Sequence, residues 1–308
     1  MKSTALCYGA ATIITGFATG AAGAFGISLS NETKVELKND GEFESIVNGE
    51  GSVGEELARF CVERTLNEFG MEYEGASVNT QMDIPQAMGL KSSSIAANCI
   101  TLATVGAIAR EKGFVRQKRL NKFRQKQLIS IENVEIDDER IINLGIDAAF
   151  DANVTKTGAI DDASASFFGG YSLTQNLERK IVQRGEMEEL DVLIYLPGEK
   201  IFSGSIDVQA VKMFAKEVDM LWDAAKTGNI YSAITLNGLI HSTAFGLDTT
   251  PAILALKAGA ICSGLTGTGP AIIALCRDNS DDILNEWDGL DGEILKTTTN
   301  NKKAMILK

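Results

Sequence analysis

The stretch that decides the fold is Pro85 to Ser94, which reads PQAMGLKSSS and leads into a long apolar segment. A glycine here allows backbone N–H groups to approach a ligand closely, and the three serines offer hydroxyls and helix N-cap candidates. The first turn of a helix has N–H groups without helical partners and carries the positive end of the helix dipole, which together suit a phosphate. The residues alone leave two interpretations open, a phosphate-binding loop and an ordinary capped turn.

Outward from this loop, the hydrophobic pattern predicts strands and helices that do not alternate regularly. The predicted strands cover residues 5–15, 24–38, 78–84, 167–173 and 190–196, and the predicted helices cover 53–69, 92–110, 139–153, 206–227, 231–245 and 252–258. Residues 272–276 fit either a helix or a strand. Strands followed by groups of helices favour an α+β fold over a doubly wound one.

The domain boundary is predicted near residues 170–185, because the polar segment from Thr174 to Glu189 interrupts the apolar pattern. The chain of 308 residues is long enough for about two domains. We therefore predict a first domain over residues 1–175 and a second over residues 176–308.

The composition is that of an ordinary globular protein, with 44% hydrophobic and 23% charged residues. A net charge of −12 argues against a nucleic-acid or membrane partner. The five cysteines are scattered singly, which indicates reduced thiols and a cytoplasmic protein. His241 is the only histidine, which excludes a multi-histidine metal site, and no GxSxG motif is present for a serine hydrolase. The GLTGTGP segment lacks the third glycine of a dinucleotide fingerprint.

Two segments allow alternatives. Residues 5–29 are apolar and follow Lys2, as in a signal peptide, but repeated glycines interrupt the run and favour two strands joined by a glycine-rich loop. Residues 110–126 carry eight basic residues against a single Glu111. This basic stretch could attract an anionic ligand or form a solvated helix face.

The loop from Pro85 to Ser94 resembles the second motif of the GHMP kinases, P-x-x-x-G-L-G-S-S-A. The matching residues are Pro85, Gly89, Leu90, Ser92 and Ser93. Lys91 stands where most members have glycine, and this departure is similar to the GLKSSS loop of the archaeal shikimate kinases.

Two further segments resemble the same family in the expected order. Residues 158–170 (GAIDDASASFFGG) resemble its D-x-x-x-S-x-x-G-G motif, with Asp162 as the family aspartate, and residues 263–275 (SGLTGTGPAIIAL) resemble its third, glycine-rich motif. The first motif departs, because Tyr8 to Thr12 (YGAAT) replaces the usual proline-glycine-lysine and supplies no lysine. That start is again similar to the archaeal shikimate kinases. The absence of a GxxxxGK[ST] motif excludes the P-loop shikimate kinases.

The resemblance implies a two-domain fold, with an N-terminal ribosomal-protein-like β/α domain and a C-terminal ferredoxin-like α/β sandwich. It implies a kinase that uses ATP and Mg²⁺ to phosphorylate shikimate to 3-phosphoshikimate, in aromatic amino-acid biosynthesis. Alternatives are another hydroxyl substrate, such as homoserine or a mevalonate derivative, and a metabolite-binding protein without catalysis. Retention of the motif residues argues against the last. The carboxylate of shikimate requires a cation, for which Lys91 and the basic stretch are candidates.

The resemblance also implies roles for individual residues. The implied ATP-binding residues are Pro85, Gly89, Leu90, Lys91, Ser92, Ser93 and Ser94, and the implied closing loop contains Gly264, Gly267, Thr268 and Gly269. Ser93 and Asp151 are the implied magnesium ligands, and Asp162 is the implied acceptor of the hydroxyl proton. For both Asp161 and Asp162 the alternative is loop solvation or helix capping, and we expect Asp161→Asn to have only a mild effect.

Overall fold

A computed structural model describes residues 1–51, 54–113, 115–121, 124–131, 134–198 and 208–307. Its largest sheet is formed by β1 (Lys2–Ile14), β2 (Ala21–Lys38), β3 (Phe43–Val47), β4 (Glu50–Gly51), β5 (Gly75–Met82), β9 (Tyr171–Gln175), β10 (Lys180–Gly185) and β15 (Met305–Ile306). The strand order is β10-β9-β2-β5-β3-β4, with β1 pairing β2 and β15. Strand β2 is long enough to pair with β9 near its start and with β5 near its end, so it organises the sheet.

Four helices accompany this sheet, namely α1 (Glu55–Glu68), α2 (Ser92–Lys112), α3 (Asp138–Asp151) and α4 (Ile160–Phe168). Helix α2 is apolar and largely buried, and it packs against β1, β2, α1 and α3. It is long and apolar enough to cross a membrane, but most of it is inside the protein, as expected of a core helix. A three-stranded sheet of β6 (Val115–Asn121), β7 (Arg124–Ile131) and β8 (Val134–Asp137) follows α2.

The second half of the chain forms an antiparallel sheet with helices. Its strands are β11 (Asp191–Pro197), β12 (Cys262–Leu265), β13 (Ile272–Cys276) and β14 (Gly292–Thr298), in the order β12-β13-β11-β14. The helices are α5 (Val208–Lys212), α6 (Ala215–Lys226), α7 (Ile230–Phe245), α8 (Thr250–Lys257) and α9 (Ser280–Trp287). Residues 192–196 of β11 and all five residues of β13 are buried, because both faces of their sheet are covered.

The predicted α+β class is confirmed, and most predicted helices and strands appear within a few residues. Residues 167–168 are an exception, because they end α4 instead of beginning a strand. Gly169 and Gly170 have φ of 70° and 66°, which ends the helix and delays β9 until Tyr171. Residues 272–276 form a strand, and residues 206–207 of one predicted helix lie outside the described residues.

The boundary between the first and the second sheet lies later in the chain than the predicted domain boundary. Strand β10 still belongs to the first sheet, and the second sheet begins with β11. Strand β15, near the end of the chain, returns to pair with β1. The division between residues 175 and 176 therefore cuts the β9–β10 hairpin, because polar residues there mark a solvent-exposed hairpin and not a change of sheet.

Candidate active site

The loop before α2 has a backbone suited to an anion. Ala87, Gly89 and Lys91 have positive φ values of 58°, 80° and 66°, and Lys91 lies at the N-cap of α2 without a side-chain cap hydrogen bond. Backbone of this kind turns N–H groups toward one point, and the first turn of α2 adds its own N–H groups and dipole. Helices α1, α3 and α4 carry acidic residues in the first turn, whereas α2 has none. The first turn of α2 therefore holds no charge that would repel a negatively charged ligand.

A cavity of about 320 Å³ opens at this helix end. The predicted site residues that line it are Gly89, Leu90, Lys91, Ser92, Ser93, Ser94, Asp162, Gly267 and Thr268. Wall residues that the sequence did not indicate include Thr15, Gly16, Phe17, Asn153, Lys156, Asp161 and Asn176. Pro85, Asp151, Gly264 and Gly269 are described but do not line this cavity.

Lys91 and Asp162 form an ion pair inside the cavity. The Lys91 Nζ lies 3.0 Å from Asp162 Oδ1, and the two side chains are 13% and 8% exposed. Burial tends to lower the pKa of Lys91, but the carboxylates of Asp162 and Asp161 outweigh burial and raise it. The ammonium group is therefore charged at neutral pH. Lys91 was expected to face an anionic ligand, and the structure pairs it with the family aspartate.

The pKa of the Asp162 carboxyl group lies close to neutral pH. Burial and then the neighbouring charge of Asp161 raise its pKa to about 7, and Lys91 offsets only part of that rise. A carboxylate with a pKa close to the working pH is well suited to accept a proton from a hydroxyl.

Asp161 is also buried in the cavity wall, with 3% of its surface exposed. Its Oδ1 accepts a 2.8 Å hydrogen bond from Asn176 Nδ2, and the Oδ1 of Asn176 accepts one of 2.8 Å from Thr174. Loop solvation does not describe this residue. The burial depends on Asn176, which follows β9 and is 15 residues away in sequence.

The third glycine motif lies directly on the α2 loop. A Cβ atom at Gly267 would come within 2.7 Å of the Gly89 carbonyl oxygen, and one at Gly89 would come within 2.1 Å of the Thr266 carbonyl oxygen. The Gly267 N–H donates a 2.8 Å hydrogen bond to the Thr12 hydroxyl, and the Thr12 N–H donates one of 3.1 Å to the Thr266 hydroxyl. Only glycines permit this approach, which joins both halves of the chain at the cavity.

Gly264 and Gly269 contribute to packing instead of lining the cavity. Gly264 lies in β12 against Gly238 of α7, and a Cβ atom at Gly264 would come within 3.0 Å of the Gly238 Cα. Gly269 packs against Leu265 and Leu247. Their place in the motif reflects close contacts between elements.

Helix α7 supports the opposite wall. The Asn237 side chain accepts a 3.0 Å hydrogen bond from the Thr15 N–H and donates one of 3.3 Å to the Thr15 hydroxyl. His241, one turn further, is fully buried, and burial lowers its pKa to about 4. His241 is therefore neutral at pH 7, and its Nδ1 lies 2.8 Å from the Asn237 carbonyl oxygen. The histidine serves the packing of α7.

Asp151 is held away from the cavity. It ends α3 and forms an ion pair with Arg64 of α1, whose Nη2 donates a 2.9 Å hydrogen bond to Oδ1. The Arg64 hydrogen bond also lowers the pKa of Asp151. The structure therefore does not bring together Ser93 and Asp151, the two implied magnesium ligands.

The described basic residues at the end of α2 are also distant from the cavity. Arg110 and Lys112 lie in the last turn of α2, a helix about 30 Å long that begins at the cavity. The side chains of residues 115–126 lie outside what the structure describes. The described part of this stretch supplies no cation to the cavity.

Comparisons with known proteins agree with this architecture. Residues 56–170 match the GHMP kinases N terminal domain. A shikimate kinase from Methanothermobacter thermautotrophicus is 36% identical, covering 100% of this chain and 99% of that protein. A shikimate kinase from Methanothrix thermoacetophila is 38% identical, covering 99% of this chain and 96% of that protein.

Solved structures with low sequence identity share the fold. A homoserine kinase from Cytophaga hutchinsonii has a TM-score of 0.71 at 16% identity, covering 99% of this chain and 97% of that one. The mevalonate kinase of Methanococcus jannaschii has a TM-score of 0.72 at 16% identity, covering 97% of this chain and 98% of that one. Together with the full-length relatives, these similarities show that the chain belongs to the GHMP kinases, within the family of the archaeal shikimate kinases.

Proposed function

We propose that this protein transfers the terminal phosphoryl group of ATP to the 3-hydroxyl of shikimate. The observation that carries the proposal is the Lys91–Asp162 pair, which lies in the same cavity as the N-terminus of α2. The arrangement offers a proton acceptor beside an anion-binding helix end, as phosphoryl transfer to a hydroxyl requires. The shikimate kinase names of full-length relatives support the choice of substrate.

The residues at the start of α2 fit a triphosphate. The loop from Gln86 to Lys91 and the three serines offer N–H groups and hydroxyls, and no acidic residue lies in the first helical turn. Gly267 and Thr268 cover the loop from the other half of the chain. We assign the phosphates of ATP to this end of the cavity.

A magnesium ion fits the cavity through fewer protein ligands than the sequence implied. Mg²⁺ is bound by oxygen atoms and commonly keeps waters and phosphate oxygens with only one or two protein ligands. We assign the Ser93 hydroxyl to the ion and withdraw Asp151, which pairs with Arg64. Within the described ranges no group of three or more His, Cys, Asp or Glu side chains could hold a metal ion, so phosphate oxygens and waters would supply the other ligands. When bound, the ion supplies neutralisation of the phosphate charge.

Asp162 then acts on the attacking hydroxyl. Its carboxylate accepts the hydroxyl proton as the new oxygen–phosphorus bond forms and the bond to the leaving ADP oxygen breaks. Lys91 holds the carboxylate in place and keeps it ionised, because removing this ammonium would raise the pKa of Asp162 further. Lys91 therefore supplies the cation that the first motif lacks.

A substrate carboxylate calls for a cation in the cavity besides the one that pairs with Asp162. In the described wall of the cavity, the remaining cationic side chain is Lys156, in the segment between α3 and α4. We assign the shikimate carboxylate to Lys156.

The five cysteines are unbridged and buried, which supports a reducing, cytoplasmic setting.

A substrate panel tests this proposal. The purified protein would be incubated with ATP and Mg²⁺ together with shikimate, homoserine or mevalonate, and the products identified by ³¹P NMR. We expect 3-phosphoshikimate from shikimate only, and no product from an Asp162→Asn control in the same time. Turnover of homoserine or mevalonate without turnover of shikimate would overturn the substrate and leave the family intact.

A further inference from the structure

The cavity contains two adjacent buried carboxyl groups, and Lys91 forms its ion pair with one of them. Asp162 pairs with Lys91, whereas the hydrogen bond that the structure shows on the Asp161 carboxylate comes from the neutral Asn176 amide. Asp161 and Asp162 are both at most 5% exposed, and both line the cavity. They are consecutive residues in the first turn of α4, and the charge of Asp161 helps to raise the pKa of Asp162.

Asp161 is held in a fixed orientation by a chain of hydrogen bonds. The Thr174 hydroxyl donates to Asn176 Oδ1, which leaves the Asn176 amide nitrogen as the donor toward Asp161. A carboxylate has two oxygens and about four lone-pair sites, so one amide donor satisfies only part of its capacity. A hydroxyl of a ligand in the cavity would therefore meet an acceptor that is already oriented.

We propose that Asp161 accepts a hydrogen bond from the hydroxyl next to the one that is phosphorylated, so that the site selects a vicinal diol. The inference rests on the proposed function and specifies how the substrate is chosen. Asp162 takes the proton of the attacking hydroxyl, and the neighbouring Asp161 binds the adjacent hydroxyl on the same ring. For shikimate phosphorylated at the 3-position, the adjacent hydroxyl is the one at carbon 4.

A substrate with a single hydroxyl would leave Asp161 without this donor. Sites built to hydrogen-bond a substrate hydroxyl reject analogues that lack it, in the strongest cases by more than about 10⁴-fold. The same two carboxylates therefore disfavour homoserine and mevalonate, which lack a second hydroxyl on the carbon next to the reacting one. The selectivity arises within α4 and not in the phosphate loop.

The test compares shikimate with 4-deoxyshikimate in the wild type and in Asp161→Asn, by kcat/KM and by calorimetric binding. We expect the wild type to prefer shikimate by about 100-fold or more. Asp161→Asn should lose most of that preference, because the variant binds both compounds equally weakly. Asp151→Asn, an acid outside the cavity, should keep the wild-type preference. The binding measurement keeps the comparison decisive if turnover of Asp161→Asn is too slow to measure.

Four results would overturn the inference. An unchanged preference in a folded Asp161→Asn variant would show that Asp161 does not contact the adjacent hydroxyl. An increased magnesium requirement with an unchanged preference would make Asp161 a metal ligand instead. A wild type that phosphorylates shikimate and 4-deoxyshikimate equally well would remove diol selection but leave the proposed function, whereas a wild type inactive on shikimate would remove both.

Discussion

The ammonium nitrogen of Lys91 lies 3.0 Å from a carboxylate oxygen of Asp162, and this contact joins the phosphate loop to the start of α4. The lysine belongs to the second motif, in a position where most GHMP kinases have glycine. Its left-handed backbone, with φ of 66°, is the conformation that a glycine would adopt easily. A non-glycine residue here carries a conformational cost, and the ion pair with Asp162 gives that residue a function.

Lys91→Met should destabilise the protein by leaving Asp162 buried without its partner. Removing one member of a buried pair costs about 3–5 kcal/mol, so we expect a loss of that order in the free energy of unfolding at pH 8. Asp162→Asn in addition to Lys91→Met should restore much of the loss, because no buried charge then remains. Urea unfolding of the two single variants and the double variant measures the coupling. Additive effects would show that the two residues do not interact.

The rate should depend on pH through Asp162. Because burial and Asp161 raise its pKa to about 7, the carboxylate that accepts the proton predominates only above that pH. We expect kcat/KM to rise as the pH increases through about 7 and to level off above it. Replacing Asp161 by Asn removes a negative charge that raises this pKa, so the midpoint should move to lower pH. A midpoint near pH 4 in the wild type would contradict the buried environment of Asp162.

Magnesium use should separate Ser93 from Asp151. Ser93→Ala removes a hydroxyl of the cavity wall, so the variant should require more magnesium for half-maximal activity. Asp151→Ala removes only a partly exposed ion pair with Arg64, so its magnesium requirement should equal that of the wild type. The loss in the free energy of unfolding should be about 0–1 kcal/mol. An increased requirement in Asp151→Ala would return this residue to the metal site.

The contact between the two glycine loops should be essential to ATP binding. Gly267→Ala places a Cβ atom within 2.7 Å of the Gly89 carbonyl oxygen, so the α2 loop must shift. We expect the KM for ATP to rise by roughly tenfold or more, as a loss of about 1.4 kcal/mol in binding would give.

Gly246→Ala is the matched control, because Gly246 has a similar φ of 68° and nothing near its missing Cβ. The control carries the cost of the left-handed backbone without the clash. It should lower the melting temperature slightly and leave the KM for ATP unchanged. Equal KM values in both variants would mean that the glycine contact does not position the phosphate loop.

The parts of the fold that the sequence predicts are those with a strong local signal. Helix α2 is largely apolar from Ile95 to Ala109, and strand β11 contains a continuous apolar run that ends at Pro197. Strands β4 and β15 have only two residues each, and their pairing depends on partners far away in sequence. No local pattern could indicate them.

The candidate site likewise has parts with a local sequence signal and parts that depend on distant residues. The phosphate loop and Asp162 are indicated by motifs, because their chemistry fixes residue types at fixed spacings. The burial of Asp161 depends on Asn176 and Thr174, which lie on the neighbouring strand and its turn. Asp151 matches a motif position by spacing, but the last turn of α3 places it beside Arg64 of α1. Spacing along a helix does not specify which neighbour the side chain meets.

The role of Asp162 as the proton acceptor is tested most directly by the turnover of Asp162→Asn with shikimate. The affinity of the variant for shikimate is measured together with it. Asparagine keeps the size and much of the hydrogen bonding of the side chain but cannot accept the hydroxyl proton. We expect kcat to fall by about 10²–10⁴-fold, while the dissociation constant for shikimate stays close to the wild-type value. Near-normal turnover of a folded Asp162→Asn variant would contradict the claim that this carboxylate accepts the proton.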